Sequence, residues 1–276
     1  PSLLDPASRD ALSSQVRSLV QVDGDGEGTL EANPDDVTLE RLADWRSIGV
    51  DRLSIGIQSF RDDRLRFMGR AHTAAQSHNA LELIAGAGLR SWTLDLIYGL
   101  PQMTLAEWDD QLATAFRYGS PHISSYCLTV ETKTTLAHRV KAGDVVMPDD
   151  DDQAAQFERL VERSEEAGLV HYEISNFGRE GHFSRHNTSY WKGVPYLGIG
   201  PAAHSFDGRA RRWNVANNAQ YARAVAEGRP YWTTETLTPA QRPNERIRAG
   251  SRTMSPAALA ALPGGPSNPN STVLSR

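Results

Sequence analysis

One cysteine, Cys127, stands in a chain of 276 residues. That scarcity excludes an internal disulfide framework and any metal site built from several thiolates of this chain, and it fits a reducing cytoplasm. No apolar run is long enough for a membrane-spanning helix, and no secretory leader pattern opens the chain. A positive excess is missing too: 29 Lys and Arg face 34 Asp and Glu, a formal net charge of -5. The balance argues against a protein held to nucleic acid by phosphate contacts. An initiating Met is absent as well. Leu12, Val16, Leu19 and Val20 recur at helical spacing over Asp5–Val20, with no strand ahead of them. An α/β sheet would place a strand there, so the expectation is a fragment without its start.

What is present is organised around Ser91–Thr104, SWTLDLIYGLPQMT. Trp92–Tyr98 is too apolar and β-branched for a surface loop and reads as a buried strand. Gly99-Leu100-Pro101 ends it, and Thr104 is placed to cap a helix over Leu105–Tyr118. Asp95 is the odd member. A carboxylate among apolar neighbours must be hydrogen-bonded or shifted in pKa, because an unpaired buried charge is costly. It either ties down a neighbouring loop or faces a ligand.

Strand and helix patterns alternate on both sides of this stretch. A Gly/Asp-rich turn at Asp23–Gly28 lacks the spaced ligands and terminal Glu of a calcium loop. It leads to a strand at Thr29–Ala32, then a helix capped by Thr38, a strand at Arg52–Ser59, and helices at Asp62–Met68 and Ala74–Ala87. A strand over His122–Glu131 follows Leu105–Tyr118. This order specifies a parallel sheet with helices outside, either a (β/α) barrel or an open α/β sheet. Lys133–Met147 reads as loop, and Asp149–Asp152 sits at the positive N-terminus of a helix over Gln153–Ala167. Aromatic, glycine-rich segments follow at His171–Phe177 and Tyr196–Phe206. Beyond Pro243 the chain turns to Ser, Pro, Ala and Gly, the composition of a disordered tail or a translated frame error.

Polar residues fall toward the C-terminal ends of the candidate strands: Glu31, Gln58, Asp95 and Ser125–Glu131. In parallel α/β folds those ends form a ligand-binding rim. Glu31 and Asp95 accept from an ammonium or ribose hydroxyls, Gln58 does both, and Arg70 offers a bidentate donor for a carboxylate. A ligand with an amine, a carboxylate, a ribose and a flat base would use them all. Gly198-Ile199-Gly200-Pro201 matches a dinucleotide fingerprint on paper, but Pro201 and the missing βαβ context reduce it to a tight turn.

Glu31-Ala32-Asn33-Pro34, Ser54-Ile55-Gly56-Ile57-Gln58-Ser59-Phe60, Gly69-Arg70-Ala71-His72 and Asp95–Pro101 closely resemble radical SAM enzymes of the oxygen-independent coproporphyrinogen III oxidase family. Tyr172–Phe177, Arg185–Trp191 and Tyr196–Gly200 resemble its haem-chaperone branch, HemW. The resemblance runs from Pro1 to about Glu245. It implies a partial (β/α)6 barrel over residues 1–132, a smaller α+β extension over 133–243, and a tail from 244 to 276. It implies S-adenosylmethionine (SAM) on Glu31, Gln58, Arg70 and Asp95, and haem near Arg185, His186, Asn187, Tyr190 and Trp191. His186 would be an axial ligand and Arg185 a propionate partner; the residues alone favour a histidine and aromatics that cap the barrel edge, and the resemblance brings the two readings level. His182, four before His186, has no nearby third ligand for a shared metal. The family's Cys-x3-Cys-x2-Cys motif, which holds a 4Fe–4S cluster, is absent, through truncation or degeneracy of the homologue. The implied function is a chaperone passing haem to recipient haemoproteins such as membrane respiratory enzymes. The alternatives are a coproporphyrinogen III oxidase, which cleaves SAM to begin two oxidative decarboxylations, and a non-catalytic remnant binding SAM or haem.

Overall fold

The structure, a computed structural model, describes Ser2 and residues 4–236. The tail expected from 244 to 276 lies outside the described residues. Two compact units are present, one ending at Phe183 and one beginning at Ser184. The first comprises α1 (Pro6–Leu19), β1 (Thr29–Ala32), α2 (Leu39–Ser47), β2 (Arg52–Gln58), α3 (Asp62–Phe67), α4 (Ala74–Ala85) and β3 (Ser91–Tyr98). It continues through α5 (Leu105–Arg117), β4 (His122–Cys127), α6 (Thr135–Ala142), α7 (Asp150–Glu166), β5 (Val170–Glu173) and β6 (Asn176–Gly178). The division suggested by sequence at 132/133 falls inside this unit, ahead of α6, α7 and the last two strands of its sheet.

Local chemistry explains most boundaries. Asp5, Thr38, Thr73 and Thr104 each accept a backbone N–H of the helix that follows, removing an orphan donor of its first turn. Asp149 does the same for α7, whose first turn is Asp150, Asp151 and Asp152, so the acidic run lies against the positive helix end. Helix α6 occupies part of the stretch read as loop: Thr134 caps it and Gly143, at φ 80°, ends it. It buries no residue, which is why its apolar pattern was too weak to see. Strand β4 stops at Cys127, four residues short of the expected Glu131.

The sheet runs β1-β2-β3-β4-β6-β5. Its first four strands are parallel, as the alternation required. The far edge differs: β6 runs antiparallel to both β4 and β5. Only Ile174 and Ser175 separate β5 from β6, far too few residues for a crossover, so this pair must be a hairpin.

One face of the sheet carries Leu53, Ile55, Leu94, Leu96 and Ile123, all at 0 % exposure. They form one cluster with Trp45 of α2, Leu81 and Ile84 of α4, and Trp108 and Leu112 of α5. Each such side chain contributes about 1.5–3 kcal/mol by leaving water. Trp108 also donates its Nε1–H to the Gln156 carbonyl at 2.8 Å, tying α5 to α7.

The second unit holds α8 (Arg185–Trp191), β7 (His204–Phe206), β8 (Ala210–Asn214), α9 (Asn218–Ala226) and β9 (Trp232–Thr236). Its strands form an antiparallel sheet in chain order, and a single bridge from Tyr196 to Phe206 extends it. Gly198 lies against β7 so closely that a Cβ would sit 2.0 Å from the His204 carbonyl oxygen. This is the tight turn expected there, and glycine is the residue that fits it.

Candidate functional site

The opposite face of the same sheet is polar. Residues alternate along each strand, so Thr93 and Asp95 of β3 face away from Leu94 and Leu96. Register carries this face across the sheet: Glu31 pairs with Ser54, Ser54 with Thr93, and Asp95 with Ser124. Glu31, Ser54, Gly56, Asp95, Ser124 and Tyr126 thus line one surface.

Asp95 is half-buried in the middle of β3 rather than at its C-terminal end. Ser54 Oγ donates to both carboxylate oxygens, at 3.0 and 3.3 Å. Burial pushes the Asp95 carboxyl up to about 7, and the charge of Glu31 adds to the rise, while the Ser54 and Ser124 hydroxyls and Arg52 oppose it. Asp95 is therefore both hydrogen-bonded and shifted, and its partners lie on neighbouring strands rather than in a loop.

Gln58 and Arg70 converge beside Gly56. A register shift between Ile55 and Gln58 marks a β-bulge, and Gln58 sits at φ 64°, which re-aims its side chain at the strand end. A Cβ on Gly56 would lie 2.8 Å from Gln58 Nε2 and 2.9 Å from Arg70 Nη2. Arg70 Nη2 donates to Asn33 Oδ1 at 3.0 Å and to the Gly56 carbonyl at 3.3 Å. Of the four rim residues read from sequence, the structure brings Gln58 and Arg70 together at Gly56. It places Asp95 on Ser54, the register partner of an exposed Glu31.

The N-terminal end of the polar face is closed by a buried cation. Arg52, 2 % exposed, donates to Ser91 Oγ, Thr93 Oγ1 and the His182 carbonyl at 3.2, 2.9 and 2.9 Å, with Glu27 at 3.7 Å. Beside it, His122 Nε2 meets Tyr172 Oη at 2.7 Å, and burial holds this histidine well below its ordinary pKa.

One expectation needs correction. Ser125, counted with the rim, pairs with Leu96 and points to the helix-packed face; Tyr126 takes the rim side. His182 lies outside α8 and meets Ser91 Oγ at 3.1 Å, so it shares no helix with His186. Among the described residues no group of His, Cys, Asp or Glu is placed to hold a metal ion. Cys127 donates its S–H to Gln153 Oε1 at 2.9 Å and burial raises its thiol pKa, the setting of an unreactive thiol.

In the second unit, Arg185, His186, Asn187, Tyr190 and Trp191 all lie on α8, capped by Ser184, which accepts the Asn187 N–H. Arg185 and His186 are exposed. His186 meets Tyr190 edge-on at 4.9 Å, one helical turn later, and Tyr190 meets Tyr196 edge-on at 4.6 Å. Tyr196 continues to Phe206 at 6.4 Å. His204 is exposed on β7.

Sequence reasoning passed over Asn33, Ser54, Ser124, Asn176 and Glu173. Ser54 was visible in the period-2 pattern of Arg52–Gln58. Ser124, Asn176 and Glu173 had no signal of their own, because their partners lie on other strands.

These observations define an α/β protein with a polar face on its parallel strands, and the radical SAM superfamily profile matches residues 4–114. The structure resembles the coproporphyrinogen III oxidase HemN from Escherichia coli, described as a radical SAM enzyme. The TM-score is 0.74 at 22 % identity, over 91 % of this chain and 60 % of that one. "Heme chaperone HemW" of Bacillus subtilis is 34 % identical over 91 % of this chain and 67 % of its own length. The Escherichia coli protein of that name is 37 % identical over 83 % and 60 %, and that of Haemophilus influenzae 40 % over 74 % and 52 %. The chain belongs to the HemW haem-chaperone family of radical SAM proteins. It spans between about half and two thirds of the length of these relatives.

Proposed function

We propose that this chain carries the SAM-binding and haem-handling parts of a haem chaperone that delivers haem to recipient haemoproteins, membrane respiratory enzymes among them. The supporting observation is 34–40 % identity to proteins named heme chaperone, over a span that includes both the polar face and α8. The oxidase reading draws on HemN, whose 22 % identity speaks for fold alone. In this proposal residues 1–132 serve SAM and those from 133 to 243 serve haem. The lone cysteine favours the cytoplasm, and among the described residues no helix is long and apolar enough to cross a membrane.

The residues on the polar face fit SAM. The cradle over Gly56 would be filled by any larger side chain, and it presents the amide of Gln58 and the guanidinium of Arg70. Arg70 would take the methionyl carboxylate, Gln58 and Glu31 the amine or base, and Asp95 an oxygen of the ribose. Bound at a 4Fe–4S cluster, SAM supplies one-electron chemistry. The cluster does not fit the residues of this chain, since Cys127 is its one thiol. On α8, His186 would ligate haem iron, Arg185 would pair with a propionate, and Asn187, Tyr190 and Trp191 would line the macrocycle.

Haem titration followed by absorption spectroscopy tests this reading. Saturable binding with a Soret shift, weakened about tenfold or more in His186→Ala, is the expected result. Equal binding by both proteins would remove His186 from the ligand role. No binding by either would leave the oxidase reading favoured, and a protein that binds SAM or haem but hands haem to no acceptor would be the non-catalytic remnant.

A further inference from the structure

The end of β2 is held by side chains as well as by its neighbours in the sheet. Its register with β1 ends at Ile55, and its register with β3 passes from Ile55 to Gln58, so neither Gly56 nor Ile57 has a register partner in β1 or β3. The carbonyls of these two residues are reached from one segment, the linker between α3 and α4. Arg70 Nη2 donates to the Gly56 carbonyl at 3.3 Å, and His72 Nε2 meets the Ile57 carbonyl at 3.1 Å.

The contact from His72 falls on the pivot of a strained turn. The Ser59 N–H donates to the same Ile57 carbonyl at 2.7 Å, across Gln58 at φ 64°. A bond that spans three residues at positive φ is the rare, strained form of the γ-turn. Such a backbone persists only where its surroundings over-determine it. Two side chains do so here. Gln111 of α5, 4 % exposed, accepts from Ser59 Oγ at 3.0 Å and from the Phe60 N–H at 2.6 Å, which fixes the chain as it leaves the turn. His72, 3 % exposed, holds the carbonyl at the entrance. A carbonyl only accepts, so His72 Nε2 must carry a proton. Burial lowers the pKa of this ring, which makes the neutral Nε2–H form the donor at neutral pH.

We propose that His72 is a positioning residue: its Nε2–H clamps the Ile57 carbonyl, holds Gln58 in the γ-turn and keeps the Gln58 amide beside Arg70 over Gly56 before a ligand arrives. One linker then sets both arms of the cradle, Arg70 directly and Gln58 through His72. The consequence for SAM rests on the reading of Gln58 as a SAM contact; the clamp itself does not.

Nitrogen-15 NMR of the His72 ring in the full chain, assigned by its loss in His72→Gln, reads the proton directly. The expected form is Nε2–H, and a neutral ring protonated on Nδ1 would overturn the clamp. Hydrogen exchange reads the turn. In His72→Phe, which keeps a flat ring and loses the donor, the Ser59 amide should exchange about tenfold faster or more, with that of Leu94 in β3 unchanged. His72→Gln returns an N–H donor close to the Nε2 position and should restore most of the protection. Unchanged protection in His72→Phe would leave Gln111 holding the turn alone. Equal loss in His72→Gln, or equal acceleration at Leu94, would mean that the ring acts by packing. Each of these overturns the proposal. SAM affinity by calorimetry tests the consequence. His72→Phe should weaken SAM about fivefold, the scale of one net hydrogen bond, and should have no further effect in a Gln58→Ala background. Equal losses in both backgrounds would overturn positioning through Gln58. Full SAM affinity in Gln58→Ala would overturn the reading of Gln58 as a ligand contact and leave the clamp standing on the exchange and the tautomer.

Discussion

The two faces of the first unit's sheet are made by the same strands and obey opposite rules. Leu94 and Leu96 enter a cluster with Trp45, Leu81 and Trp108, where any apolar side chain of the right volume serves. Thr93 and Asp95, between and beside them, enter a polar surface where Arg52 donates to the first and Ser54 to the second. One face secures the fold by area. The other sets proton positions and charge, and its members cannot be exchanged by size. A period-2 pattern therefore encodes a stability problem and a recognition problem in a single strand.

The comparison predicts different costs for damage on each side. Trp108→Ala should cost about 3–5 kcal/mol, read as a lowered urea midpoint, because it empties the centre of the apolar cluster and removes the bond to Gln156. On the polar face, Arg52→Ala should cost about 3 kcal/mol, since Ser91, Thr93 and the His182 carbonyl lose their donor and Glu27 is left with the more distant Arg90 at 3.9 Å. An apolar replacement of similar length that restores stability would show that Arg52 acts by filling space and would blur the distinction.

A pH series sharpens it further. Asp95 titrates at about 7 in the folded chain and near the usual carboxylate value when unfolded, so between those values the folded state holds the extra proton. Stability should fall as pH rises through this window. Asp95→Asn removes that loss, and its advantage over the parent should grow by about 2 kcal/mol from pH 5 to pH 8. His122 works in the opposite sense: burial depresses its pKa, so its contribution is present above the unfolded value and is lost on acidification. The difference between Asp95→Asn and the parent cancels that term. The smallest stability effect belongs to Gly56→Ala. The new methyl meets only the flexible ends of Gln58 and Arg70, so the urea midpoint should move by less than about 1 kcal/mol. SAM affinity should nevertheless drop about tenfold, because those ends are the proposed ligand contacts.

Much of the fold was legible because its signals are local. The Thr38 and Thr104 caps, the acidic start of α7 and the apolar alternation of β3 each sit within a few residues of what they determine. Asp95 stood out for the same reason: it breaks an apolar run. The contact of Ser124 with Asn176 did not stand out, because these residues are 52 positions apart and meet only through the register of β4 and β6. The turn of Gln58 into positive φ was hidden as well, since nothing in Ile57-Gln58-Ser59 demands it. The antiparallel edge formed by β5 and β6 was not legible, because His171–Phe177 shows an aromatic composition rather than strand alternation and only Ile174-Ser175 turns the chain there. The strands of the second unit were missed because β7 has three residues and its neighbours five.

The reversed strand β6 also bears on how quickly the sheet assembles. A two-residue hairpin such as β5–β6 closes within about 1–10 μs. Each parallel pair from β1 to β4 must wait for a helix-containing crossover to find its place, the slow class of pairing. Native contacts at the β5–β6 edge should then form early and wait for β4 to arrive. The interval before β4 docks is when the chain is most open to pairing with a neighbour instead of with itself.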